Sequence, residues 1–263
     1  MTTLAVPLDV RLMNLTATLL FAGCAIFALT GGAWWVLRHP AFAIARVAVQ
    51  GELTHNNAVT LRANVAPQIT GNFFTVNLQS VRRAFEQVPW VRSAQVQREF
   101  PRSLRVQLQE HHAAAHWGPD SGTAMVNQLG EVFESNGVDA ELDDLFRLDG
   151  PPGTSPQVLA MAQALTPIFE PLGLEITSLT LSVRGGWHVT LGEEAEVELG
   201  GGTPPEVVAR TRQFAQTLTR VAAQFGRRAD TLESADLRHT GGYALRLRGV
   251  TTVAALPAQR PGR

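Results

Sequence analysis

Between Arg11 and Arg38 the chain carries no charged side chain. Leu15, Leu19, Leu20, Phe21, Ile26, Phe27 and Leu29 fill the middle of this run, and Trp34 and Trp35 close it just before Arg38. A bilayer core of ~30 Å calls for about 20 apolar residues at ~1.5 Å rise each, so the run is long enough to span one. Trp side chains beside an Arg suit the headgroup boundary, where an amphipathic ring meets water, and Trp34, Trp35 and Arg38 are assigned to that interface. A cleaved signal peptide is the competing reading, with Arg11 as its basic start and Ala41-Phe42-Ala43 as an A-x-A pattern. Signal-peptide cores run only ~7–15 apolar residues, and this run is longer and ends in bulky Trp, so retention as an anchor is preferred. Residues 1–12 then form a short arm and residues 13–37 the transmembrane helix. The flanking arginines decide little about orientation. The shortness of the arm and the large mass that follows favour a cytoplasmic N-terminus.

The rest of the 263 residues suffices for two modest domains. The net charge of −1 offers no polyanion a general attraction, so no nucleic-acid partner is expected. Every basic residue is Arg, and the lone Cys24 lies inside the apolar run. That excludes an intrachain disulfide and any thiolate metal site in the part that follows.

Behind the run, residues 42–49 alternate large apolar with small or polar side chains up to Gly51, which predicts a strand with one buried face. Asn56 or Asn57 can cap a helix running to about Val65. A second helix begins near Asn77 or Ser80, with Val81, Phe85 and Val88 at helical spacing, and Pro89 stops it. Residues 91–97 and 104–108 alternate about the turn Phe100-Pro101-Arg102-Ser103, which predicts an antiparallel hairpin. Residues 42–110 therefore read β-α-α-β-β. From His111 to about Gly249 a mainly β domain follows, with helices over residues 155–169 and about 203–225. Strands are expected at 125–133, interrupted at Gly130, and at 176–183, 187–191, 195–199, 231–237 and 243–247. The class is α+β, and the Pro-rich residues 250–263 read as a disordered tail.

The order of these pieces carries a resemblance. Phe42, Val47, Val49 and Gly51 are followed by Gly71, Asn72, Phe73, Asn77 and Leu78. Then come Pro89-Trp90-Val91, Ala94, Val96, Arg98, Pro101, Leu104, Val106 and Glu110, ending at Ala115-His116-Trp117. Residues 42–110 thus resemble a POTRA domain, and directly after a single span they resemble the FtsQ/DivIB cell-division family. The resemblance implies a single-pass inner-membrane protein whose folded part is periplasmic and enriched at the division septum. It also implies a non-enzymatic scaffold that joins early cytoplasmic to late periplasmic division proteins and meets other divisome proteins through the POTRA domain. No cofactor and no small-molecule substrate are expected.

Three other readings compete with this one. His112 and His116 have the i, i+4 spacing with which a helix offers two imidazoles to zinc, and His111 adjoins them. The residues before them alternate as a strand, however, and no metallopeptidase glutamate follows the first His. Acids gather at Asp139, Glu141, Asp143 and Asp144 and again over residues 193–198. Paired carboxylates across a cleft could serve a membrane-tethered wall hydrolase, but these fall in a loop and along a solvated strand face. A POTRA-type periplasmic chaperone would keep the fold, though POTRA repeats and barrel strands are absent.

Residues 236–247 are the best candidate site. They read as two strands about Thr240-Gly241-Gly242, and the last strand of a sheet leaves an outer edge open to an added strand. In the resembled family the matching edge is where FtsB, bound to FtsL, adds a strand. The resemblance carries this role onto Leu237, Arg238, His239, Gly242, Tyr243, Ala244, Leu245 and Leu247. His239 and Leu247 stand where the family often has aromatic residues. The alternative is an ordinary terminal hairpin whose apolar residues are all core.

Overall fold

An apolar run needs no tertiary partner to become helical in lipid, and Leu8–Leu37 forms one helix, α1. Within residues 9–37 an 18-residue window reaches a mean hydropathy of 2.0, and none of that window is buried. At ~1.5 Å per residue a helix of 30 residues extends about 45 Å, more than the ~30 Å core of a bilayer. Its hydroxyls find acceptors within the helix, as a bilayer demands: Thr18 donates to the Asn14 carbonyl at 2.7 Å and Thr30 to that of Ile26 at 2.9 Å. The helix stops where Pro40 forces His39 into an extended conformation (φ −64°, ψ 133°).

The computed structural model describes residues 8–51, 53–119, 122–135, 142, 144–192, 194–239 and 241–250, with the backbone alone for residues 8, 58, 60 and 62. The arm residues 1–7, the tail residues 251–263, Asp139, Glu141, Asp143, Glu193 and Thr240 lie outside this set. Contacts divide the chain into two units that meet between Glu110 and His111.

In the first unit α1 is followed by β1 (Arg46–Gly51), α2 (Ala58–Val65), α3 (Leu78–Glu86), β2 (Val91–Glu99) and β3 (Ser103–Glu110), in the expected β-α-α-β-β order. β1 starts later than its alternation suggests, because Pro40–Phe42 is taken into a tight helical turn whose Ala41 N–H donates to His39 Nδ1. Asn77 caps α3, its Oδ1 accepting from the N–H groups of Gln79 and Ser80. The sheet runs β1-β3-β2, with β3 parallel to β1 and antiparallel to β2. Alternation along β3 buries Leu104, Val106 and Leu108 against Leu61, Val65, Val81 and Phe85 from the helices. Glu110 closes the unit. Its carboxylate, 4% exposed, accepts from the backbone N–H groups of Thr54, His55 and Asn56 at 2.9–3.1 Å and from Asn56 Nδ2 at 3.0 Å.

The second unit holds β4 (Ala113–Trp117), β5 (Ala124–Asn127), β6 (Val132–Glu134), β7 (Arg147–Asp149), α4 (Ser155–Phe169), β8 (Ile176–Leu181), β9 (Trp187–Leu191) and β10 (Ala195–Gly200). It ends with α5 (Pro204–Gln224), β11 (Leu232–Asp236) and β12 (Ala244–Leu247). These strands make one nine-stranded sheet in the order β12-β11-β10-β9-β8-β7-β4-β5-β6. Parallel neighbours need a long crossover, and each helix supplies one: α4 lies between β7 and β8 in the chain, and α5 between β10 and β11. The two helices touch each other and the sheet, so they cover one face. Trp187, Val189, Leu191, Val197 and Leu199 are buried beneath Val158, Leu165, Phe214 and Leu218. On β10 the alternate residues Glu196 and Glu198 stay on the accessible side.

Candidate functional site

Alternation decides what the end of the sheet can offer. β12 pairs antiparallel with β11, Asp236 opposite Ala244 and Ala235 opposite Leu245, and it is the last strand in the sheet order. Its outer side pairs with no other strand among the described residues. The Arg248 N–H donates inward to the Thr231 carbonyl at 2.8 Å. Since successive N–H groups of a strand point to opposite sides, those of Arg246 and Ala244 also face β11, and those of Leu245 and Leu247 face outward. Four residues at about 3.3 Å each give an open edge of ~13 Å, enough to seat a short strand.

β11 and β12 pair antiparallel as the expected hairpin, but β11 already ends at Asp236 and β12 begins only at Ala244, so the join is longer than the sequence suggests. The chain continues past β11 before it turns, and the Leu237 N–H still donates to the Glu198 carbonyl of β10 at 2.8 Å. Arg238 then folds back on Asp236, with Nη2 2.6 Å from Oδ2 and Nε 2.9 Å from Oδ1. The guanidinium hydrogen bonds hold the Asp236 carboxyl down at about 2, from an ordinary 3.8, with the Arg238 backbone N–H adding to the effect. On the far side of the loop the Tyr243 ring meets Phe214 of α5 edge-on at 4.9 Å, and its hydroxyl lies 2.7 Å from Thr217 Oγ1. Loop and helix enclose a cleft of about 460 Å³ lined by Arg210, Gln213, Phe214, His239, Gly242 and Tyr243, among others. The foot of that helix is fixed by Glu206, whose side chain accepts from the Thr203 N–H at 2.8 Å, a bond that also lowers the Glu206 pKa.

The expected site residues therefore fall into two groups. Arg238, His239, Gly242 and Ala244 are exposed, and Tyr243 and Leu245 are half-buried. The Leu237 and Leu247 side chains are buried, 2% and 3% exposed, in the core of the unit. What Leu247 can present at the edge is its backbone N–H, its carbonyl being engaged by the Val250 N–H at 3.2 Å. At the other end of the chain Trp34 and Trp35 are exposed, with the Arg38 guanidinium 4.4 Å above the Trp34 ring and His39 against Trp35 at 5.0 Å.

The remaining chemical candidates are dispersed. His116 sits on β4 with Nε2 2.8 Å from the Leu142 carbonyl, and His111 stacks on Phe133 at 4.2 Å. Among the described residues no group of three or more His, Cys, Asp or Glu is arranged to hold a metal ion. Glu198 lies 3.2 Å from His188 Nδ1 on a neighbouring strand, while Asp144, Glu194 and Glu196 are exposed. In the sequence Glu110 and Trp90 stand out only as parts of a pattern. Trp90, at φ 70°, stacks on His55 at 3.8 Å and closes the same corner that Glu110 ties down. The only signal for this in the sequence is a carboxylate at a position whose alternation demands burial.

A helix able to cross a membrane, a β-α-α-β-β unit and a mixed sheet with an open C-terminal edge define a membrane-capable protein of the POTRA-bearing class. Residues 42–111 match the family model described as "POTRA domain, FtsQ-type", and residues 115–238 that described as "Cell division protein FtsQ/DivIB, C-terminal". The protein named "Cell division protein FtsQ" from Thiomonas arsenitoxydans is 37% identical over 93% of this chain and 90% of its own length. Proteins of the same name from Burkholderia pseudomallei and Bordetella pertussis are 36% and 34% identical, over 92% and 91% of this chain and 94% and 92% of their own lengths. The chain belongs to the FtsQ/DivIB family of cell division proteins.

Proposed function

We propose that the chain is a non-catalytic scaffold of the division machinery that captures the FtsB–FtsL complex by strand addition along β12. The observation that carries this is the outward-facing edge of β12 at the end of the sheet, next to a loop braced by Asp236–Arg238 and Tyr243–Thr217. An unpaired edge is an aggregation hazard unless something fills it, and backbone pairing gives an incoming strand both affinity and register. The exposed or half-buried side chains of Arg238, His239, Tyr243, Ala244 and Leu245 supply the selectivity.

In this reading α1 anchors the chain once in the inner membrane, N-terminus in the cytoplasm. The POTRA domain (residues 42–110) and the β domain (residues 111–249) then stand in the periplasm at the septum, where they join early cytoplasmic to late periplasmic division proteins. The POTRA domain contributes a second surface for other divisome members. Solubilising the full chain from membranes and identifying what copurifies tests the reading. FtsB and FtsL are expected together. Their absence from an intact, membrane-extracted protein, or normal division after its full depletion, contradicts it.

A further inference from the structure

Aromatic side chains gather where the first unit leaves α1. The Phe73 N–H donates to the Phe42 carbonyl at 2.8 Å, the Phe42 and Phe74 rings meet edge-on at 4.9 Å, and Phe73 contacts both Phe74 at 5.2 Å and Phe100 at 6.2 Å. Two of these rings are offered to the surroundings: Phe74 is 44% and Phe100 77% exposed. Large apolar groups grouped on a surface call for something to cover them.

Side chains hold the loop that carries Phe73 and Phe74, while Phe100 stands in the turn between β2 and β3. Asn72 Oδ1 accepts from the N–H groups of Phe74 and Thr75, and Arg98 donates to the carbonyls of Phe73 and Val76 at 2.8 Å each. Its distance from the membrane helix is bounded by the chain itself. Phe42 follows Leu37 by five residues in sequence, so it lies within about 18 Å of the helix end at full extension. The Asn72 amide also donates to the Leu37 carbonyl, drawing the loop up to that end. Arg102 comes along, because its carbonyl accepts from the Ala45 N–H at 2.9 Å, and its side chain is exposed.

We propose that Phe74, Phe100 and Arg102 form a membrane-facing collar on the POTRA domain, seated in the headgroup layer of the bilayer that α1 enters. Phe side chains of surface elements bury at the headgroup–acyl boundary, and a guanidinium there meets lipid phosphates. The collar extends the Trp34, Trp35 and Arg38 belt onto the folded unit and fixes its tilt against the membrane. It rests on the anchoring reading of α1.

The test uses the full chain in nanodiscs of phosphatidylethanolamine and phosphatidylglycerol, with a fluorophore on one cysteine at a time. The native Cys24 reports on the anchor, and Phe74→Cys, Phe100→Cys, Arg102→Cys and Val183→Cys, each with Cys24→Ser, report on the surface. Val183 is 91% exposed and serves as the reference. Labels at 74, 100 and 102 are expected to be quenched by headgroup spin-labelled lipid about twofold or more above the Val183 label, as fits seating at ~5–10 Å depth. Quenching no greater than at Val183 overturns the collar. Phe74 packs against Phe42, so positions 100 and 102 keep the test valid if that label disturbs the loop. A Cys24 label quenched by mid-chain spin-labelled lipid, with the other three quenched by headgroup spin-labelled lipid no more than the Val183 label, defeats the collar alone. A Cys24 label out of reach of acyl chains defeats the anchoring reading, and the collar with it.

Discussion

The hydroxyls of Tyr243 and Thr217 lie 2.7 Å apart, tying the residue that leads into β12 to the middle of α5. Thr217 Oγ1 also lies 3.0 Å from the Gln213 carbonyl, to which it donates, and this leaves Tyr243 as the donor in the pair. The edge strand is thus positioned by the helix that covers the core, and its start cannot drift without breaking a part-buried hydrogen bond. Tyr243→Phe and Thr217→Val are each expected to cost about 0.5–1.5 kcal/mol of stability, the ordinary net value of such a bond. The double variant is expected to cost less than the sum, since both remove one interaction. Denaturant unfolding of the four proteins measures the coupling.

The Asp236–Arg238 pair makes the loop sensitive to acid. The folded state holds the Asp236 carboxyl at about 2, below its ordinary 3.8, so the fold favours the ionised form. The stabilisation is therefore complete above pH 3.8 and disappears as pH falls through about 2. Arg238→Gln is expected to return the titration of Asp236 toward 3.8, read from its side-chain carbon shift in a spectrum of the labelled protein. Asp236→Asn is expected to be less stable than the parent at neutral pH, the difference shrinking as pH falls through about 2.

Leu245→Pro removes an N–H that faces away from β11, a place where an edge strand tolerates proline. The variant is expected to remain folded, with the core beneath β12 intact, and to capture FtsB–FtsL at least about tenfold more weakly, equivalent to ~1.4 kcal/mol. Leu247→Ala acts differently. Its side chain is 3% exposed, so the expected result is a loss of about 2–5 kcal/mol in stability.

Glu110 and Gly51 govern the first unit. Glu110→Ala strands the buried Asn56 N–H and removes the acceptor of the more exposed Thr54 and His55 N–H groups, and at ~1–3 kcal/mol for a buried donor left unpaired the loss should reach about 1–3 kcal/mol. Gly51 has φ 119°, and a Cβ there would lie 2.1 Å from the Leu108 carbonyl oxygen. Gly51→Ala is expected to loosen the β1–β3 pairing, seen as faster amide exchange in both strands.

Long elements with a clear period were legible in the sequence. α4 falls at residues 155–169, as expected, and α5 starts at Pro204 directly behind Thr203, where Glu206 completes a capping box. The strands of the first unit were legible as well, apart from the start of β1, where Pro40 acts through geometry rather than hydropathy. β7 was missed. Arg147–Asp149 is too short to show a period, yet it pairs parallel with both β4 and β8. Only the fold, through the crossover of α4, makes it central. The length of the 237–243 loop was hidden for a similar reason: Gly241 and Gly242 announce a turn, while the Leu237 bond to Glu198 that postpones it joins residues far apart in sequence. The open edge could be anticipated from chain order. Which of its N–H groups face outward required the register.

The central claim concerns those N–H groups, and amide hydrogen exchange on the full chain with and without saturating FtsB–FtsL tests it most directly. Strand addition predicts strong new protection at Leu245 and Leu247 of β12 and none at Val132–Glu134, the strand at the opposite end of the sheet. Unchanged exchange along β12 in a complex shown to be formed contradicts the account and moves the interface elsewhere.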